Sequence, residues 1–133
     1  MKLQDPILDR PERVRGQLGF ARALGDGDLD AATACFAREA CLITPDATAI
    51  HGRDQIRPLL AQLIARGFEV EVELSNVVGG GDVVMASERW RVRIGTGGAR
   101  FAQTITPTLV LRRIESDWKL AIAAPWGWAE RGL

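Results

Sequence analysis

The sequence predicts an α+β domain in which helices come first and a curved, mainly antiparallel sheet follows. Three observations carry that expectation. Apolar residues recur at helical spacing through the first half of the chain, the period changes from 3.6 to 2 at Phe68, and the strands that follow are separated by short turns. A chain of 133 residues makes a single domain. It buries roughly two-thirds of its unfolded surface, so its core needs no metal or disulfide.

Residues 1–10 read as an irregular arm and residues 11–133 as the domain. Asp9 and Glu12 have capping-box spacing, and Pro11 suits a first helical turn. Val14, Leu18, Ala21, Phe20 and Leu24 form the stripe of a first helix, which Gly25-Asp26-Gly27 ends. Asp28 caps a second helix from about Leu29 to Arg38, with Ala32, Cys35 and Phe36 on one face. Ala40–Thr44 is a short strand broken by Pro45-Asp46, and a loop runs through His51-Gly52. Asp54 opens a third helix carrying Ile56, Leu59, Leu60, Leu63 and Ile64, closed by Gly67. Pro58 is tolerable there only near the first turn.

In the sheet, Phe68, Val70, Val72 and Leu74 alternate with Glu69, Glu71, Glu73 and Ser75, so one face is buried and one is wet. Gly79–Asp82 is a turn. Val83–Ile94 follows, with Val84, Ala86, Trp90, Val92 and Ile94 opposite Ser87, Arg89, Arg91 and Arg93. Gly95–Gly98 turns the chain into a long strand from Phe101 to Arg113. Glu115-Ser116-Asp117 then leads to a last strand, Trp118–Pro125. A strongly twisted sheet of this length curls. Wrapped around the helices it makes a cone that encloses a pocket.

Composition removes several function classes. The formal net charge is zero, which argues against nucleic acid or an anionic membrane as partner. No apolar run is long enough to span a bilayer, and the first residues contain no apolar signal core, so a cytoplasmic location is expected. Cys35 and Cys41 read as buried, reduced thiols. One histidine and no CxxC motif leave too few soft ligands for a metal site, and no cofactor is expected.

The run FARALGDGDLDAATACFAREACLITPDATAIHGRDQIRPLL resembles the opening of the ketosteroid isomerase and SnoaL-like polyketide cyclase families of the nuclear-transport-factor-2-like superfamily. The likeness rests on a helix ending in Gly-Asp-Leu-Asp, on Phe36-Ala37, on a strand ending in Pro, and on the Gly52-Arg53 helix start followed by Ile56. TLVLRRIESDWKLAIAAPWGW is similar to the last hairpin of the same group. The resemblance spans about residues 12–128 and implies a cystatin-like cone and a homodimer, to which outer sheet residues such as Arg89 and Thr104 would contribute. The isomerases use a Tyr donor, an Asp base and a protonated Asp donor around an apolar cavity. The resemblance places Phe20, Thr44 and Leu109 at those positions, so the three functional groups are missing. Related cyclases and epoxide hydrolases need an inward acid, usually on a late strand, and Leu120–Trp126 has none.

One carboxylate remains. Glu88 breaks the apolar face of its strand between Ala86 and Trp90. Facing inward, it is a general acid or base with a pKa raised by burial. In the other reading the strand curls there, and Glu88 reaches solvent or pairs with an arginine. Gln103 shares a face with Phe101, Ile105 and Leu109 and offers an amide to a ligand, whereas Thr104, Thr106 and Thr108 face outward. Trp90, Trp126, Trp128 and Phe20 either line one cavity or fill an ordinary core, and Trp118 reads as a structural plug. His51 and Asp46 read as loop residues. The expected pocket residues are Phe20, Thr44, Trp90, Gln103, Leu109 and Trp126, and the expected ligand is a small hydrophobic molecule. Three functions stay open: an acid/base enzyme of isomerase, cyclase or hydratase type with Glu88 as catalytic residue, a non-catalytic binding or interaction domain, or ketosteroid isomerase activity through a rearranged site.

Overall fold

The computed structural model describes residues 11–95 and 101–126, with side chains from Gly19 onward. The expected arm, Asp9 of the capping box, the turn over residues 96–98 and Trp128 lie outside the described residues, as do the side chains of Val14 and Leu18.

Helix α1 (Pro11–Asp26) ends at Gly27, whose φ of 73° suits glycine. Helix α2 (Leu29–Ala34) is capped as expected: the Ala31 N–H donates to Asp28 Oδ1 at 3.0 Å. It stops four residues short of Arg38. Strand β1 (Phe36–Ile43) begins instead and runs parallel to the last strand, β7 (Asp117–Ala124). The cause is tertiary. Lys119 Nζ donates to the Ala34 carbonyl at 2.9 Å, and the Leu120 N–H donates to the Cys35 carbonyl at 2.8 Å. Arg53 Nε and Nη2 donate to the Phe36 carbonyl at 2.9 and 2.6 Å. These are the carbonyls a longer helix would have used for its own hydrogen bonds.

Strand β2 (Ala49–His51) stands where a loop was expected and pairs antiparallel with β1. Helix α3 (Arg53–Ala65) follows Gly52, which turns the chain at φ 83°. Pro58 lies in its second turn rather than its first. The lost bond is to Asp54, on the exposed side, where water can replace it.

The rest of the sheet comprises β3 (Glu69–Gly80), β4 (Val83–Ile94), β5 (Phe101–Ile105) and β6 (Thr108–Ile114). The seven strands run in the order β2-β1-β7-β6-β4-β3, with β5 on β4, as a curved, open, mixed sheet in which only β1 and β7 are parallel. The strand expected over Phe101–Arg113 is divided at Thr106-Pro107, yet its register against β4 is continuous from Trp90–Ile105 to Ser87–Thr108. Pro107 has no N–H to give the ladder, so it interrupts the pairing without shifting it.

The inner face packs against the helices. Ala86, Leu109, Ala123 and Leu42 form one cross-strand row, and all are fully buried. Phe20 and Leu24 of α1 and Ile56 and Leu60 of α3 close over that face. Phe20 meets Phe36 edge-on, with ring centroids 5.1 Å apart and planes at 88°.

One departure from the expected alternation matters most. The β3–β4 register steps by one residue between Val72 and Leu74. This β-bulge reverses the faces of everything after it. Leu74, expected inside, pairs with Arg89 on the outer face and is 44% exposed. Ser75, expected outside, pairs with Glu88 on the inner face. Glu73 at the bulge reaches two outer-face arginines, Arg89 Nε at 3.4 Å and Arg91 Nη1 at 3.7 Å.

Candidate functional site

Strand alternation turns Val84, Ala86, Glu88, Trp90 and Val92 of β4 to the buried face. Glu88 is thus inward, as the first of its two readings required, and only 3% exposed. Its backbone N–H donates to the Pro107 carbonyl at 3.0 Å. Its two oxygens have different partners. Trp90 Nε1 donates to Oε1 at 2.7 Å, and Ser75 Oγ donates to Oε2 at 2.9 Å. Burial raises the Glu88 pKa above the ordinary carboxylate value, while the Trp90 and Ser75 hydrogen bonds act in the opposite direction. A carboxyl held between one fixed donor and one rotatable hydroxyl can take up or release a proton.

The expected pocket residues do not stay together. Phe20, Trp90 and Leu109 are fully buried, and the Phe20 and Trp90 rings lie 6.1 Å apart. They are close-packed with the rest of the core. Trp126 is half-buried against that core. Gln103 is exposed, opposite Val92 on the inner face. Thr44 stands apart in the β1–β2 turn, where its hydroxyl bonds Asp46 and the Thr48 backbone. That side chain is engaged by its own turn, and Asp46 is a turn residue as expected.

An open groove of about 420 Å³ runs between α1 and β3, lined by Ala21, Arg22, Gly25, Asp26, Val70 and Val72. Val72 is the cross-strand partner of Trp90, so the groove floor lies next to the Glu88 cluster. His51 is exposed at the end of β2, and its backbone N–H donates to Gln55 Oε1 at 2.9 Å. Among the described residues no group of three or more His, Cys, Asp or Glu side chains is placed to hold a metal. No described helix is long and apolar enough to cross a membrane.

Ser75 is the functional neighbour that sequence reasoning missed. The alternation through Leu74 put it on the wet face, and nothing in the local sequence marks the bulge.

Comparisons with known proteins agree with this architecture. The model of the SnoaL-like domain matches residues 18–116. No curated protein matches the sequence. A function-unknown protein from Mycobacterium tuberculosis superposes with a TM-score of 0.80 at 11% identity, covering 96% of this chain and 82% of that one. A proposed dehydratase of the NTF2-like family from Streptomyces avermitilis gives 0.78 at 18% identity, covering 91% and 98%. A proposed aromatic ring hydroxylase from Novosphingobium aromaticivorans gives 0.76 at 23% identity, covering 91% and 90%. At these identities the structural likeness shows the fold alone. With the family model matching residues 18–116 and the helix-on-curved-sheet architecture in place, the chain belongs to the SnoaL-like domain family.

Proposed function

We propose that this protein binds a small hydrophobic molecule and moves a proton on it, with Glu88 as the acid/base group. The observation that carries this reading is the buried carboxyl of Glu88, bonded to the Trp90 indole and to the rotatable hydroxyl of Ser75. Its raised pKa favours the neutral acid at a pH where an exposed carboxyl is ionised, which suits enolisation, cyclisation, hydration or dehydration. The ketosteroid isomerase reaction itself is not proposed, because Phe20, Thr44 and Leu109 supply neither base nor oxyanion donor.

The test compares wild type with Glu88→Gln on a β-hydroxy ketone and on a β,γ-unsaturated ketosteroid. Wild type is expected to dehydrate the first and leave the second unchanged. Glu88→Gln is expected to lose about 100-fold or more in rate, the usual scale of general acid–base catalysis. Unchanged turnover in the variant removes Glu88 from the chemistry. The second reading is a non-catalytic binding domain, favoured by the full burial of Phe20, Trp90 and Leu109, which fill core space. Binding without turnover on either substrate would select it.

A second copy of the chain is the proposed partner. The outer sheet face carries an unbroken cross-strand row, Val78, Met85, Val110, Ile122 and Cys41, in which Val78 is 62%, Met85 47% and Ile122 42% exposed. An apolar row across five strands supports a two-fold, sheet-to-sheet contact. A cytoplasmic setting belongs to the same reading and is supported by the free thiols of Cys35 and Cys41.

A further inference from the structure

We propose that Ser75 is the positioning residue for Glu88, and that Oε2, the oxygen it faces, carries the exchangeable proton. This deepens the acid/base reading of Glu88 and rests on it.

The two donors to Glu88 differ in chemistry. An indole N–H only donates, whereas a serine hydroxyl donates or accepts. Trp90 Nε1 therefore holds Oε1 as an acceptor in every protonation state, at 2.7 Å. The acid's own hydrogen is better placed on Oε2. When Glu88 is ionised, the Ser75 hydroxyl donates to Oε2 at 2.9 Å. When it is protonated, the same hydroxyl rotates and accepts from Oε2–H. Neither state leaves this contact mismatched, and the backbone need not move. On deprotonation the O–H bond at Oε2 breaks and its electron pair stays on the carboxylate. The proton passes to a basic atom of the bound molecule or to water.

Access points the same way. Glu88 is 3% exposed, whereas Ser75 is exposed. On the β3 side, Oε2 is the carboxyl oxygen whose neighbour is this exposed residue. The charged groups on the flanking strands, Glu71, Glu73, Arg89 and Arg91, alternate to the outer face. Arg22 and Asp26 of α1 line the groove beside Val70 and Val72, and Pro107, across from Glu88, is uncharged.

The bulge makes this arrangement. An unbroken ladder from Val72–Trp90 would have set Leu74 opposite Glu88, and the one-residue step replaces that methyl-bearing side chain with a hydroxyl.

The experiment follows the Trp90 indole N–H by nitrogen-15 NMR against pH, with the resonance assigned by Trp90→Phe. In wild type it is expected to titrate with a midpoint above the ordinary carboxylate range, and in Glu88→Gln that titration is expected to vanish. Ser75→Thr and Ser75→Val are isosteric and differ by the hydroxyl. The Thr variant is expected to keep the wild-type midpoint. The Val variant, and Ser75→Ala beside it, are expected to shift it upward, because a donor to the charged form is gone. A titration that survives in Glu88→Gln, or none in wild type, overturns the acid/base reading together with this proposal. A titration that depends on Glu88 but is unmoved by Ser75→Val and Ser75→Ala overturns the role of Ser75 alone.

Discussion

Ser75 and Glu88 face each other across β3 and β4, with Oγ 2.9 Å from Oε2, because one extra residue is accommodated between Val72 and Leu74. The pairing links a local irregularity of the backbone to the one buried acid among the described residues.

Two single-residue deletions separate the bulge from what it delivers. Removing Leu74 restores a regular ladder and keeps Ser75 opposite Glu88. Removing Ser75 restores the same ladder at the same length but sets Leu74 there. The Ser75 deletion is expected to be less stable than the Leu74 deletion by about 1–3 kcal/mol, the scale of a lost hydrogen bond to a charged group. Urea unfolding measures the difference. Equal midpoints would mean the hydroxyl contributes nothing.

The pH dependence of stability follows from the direction of the Glu88 shift. Its folded pKa lies above the ordinary value of 4.5, so the folded state holds this proton more tightly than the unfolded chain does. The stabilising contribution is full below that ordinary value and is lost as pH rises through the raised one. Glu88→Gln cannot ionise. Wild type is therefore expected to lose stability relative to this variant as pH rises from about 4.5. A series of urea midpoints checks this, and a pH-independent difference would refute it.

Arg53 holds the start of β1. Its Nε and Nη2 both donate to the Phe36 carbonyl, at the point where a longer α2 would otherwise continue. Arg53→Met is expected to cost about 1–3 kcal/mol. Arg53→Lys should recover only part of it, because an ammonium does not reproduce the guanidinium fork. Faster hydrogen exchange at the Leu120 amide, which bonds the neighbouring Cys35 carbonyl, would localise the effect.

The outer-face row gives a prediction about assembly. Light scattering is expected to show about twice the 14.5 kDa chain mass for wild type and a single chain for Met85→Glu, which sets a charge within the apolar row. A wild-type monomer at micromolar concentration would refute the dimer.

Much of the fold was legible along the chain. The period-2 pattern of Val83–Ile94 placed β4 with the bounds it has in the structure, and the structure chose the inward one of the two readings of Glu88. Asp28 and Gly27 marked the junction of α1 and α2. These are local signals, because periodicity and caps depend on residues a few positions apart. The candidate site was only half legible: Glu88 and Trp90 were visible as neighbours on one strand face, and Ser75 was not.

Local pattern alone set three helices ahead of the long strands and put Glu88 on the apolar face of β4, with its orientation left between two readings. Tertiary structure decided where α2 ends, that Ala49–His51 is a strand, that Thr44 serves its own turn, and that Ser75 rather than Leu74 meets Glu88. Three of those depend on a partner in another segment: β7 for the start of β1, β1 for β2, and β4 for the bulge in β3, whereas Thr44 is held within four residues of itself. Hydrogen-bond register between strands is a relation between two segments, and neither segment encodes it alone.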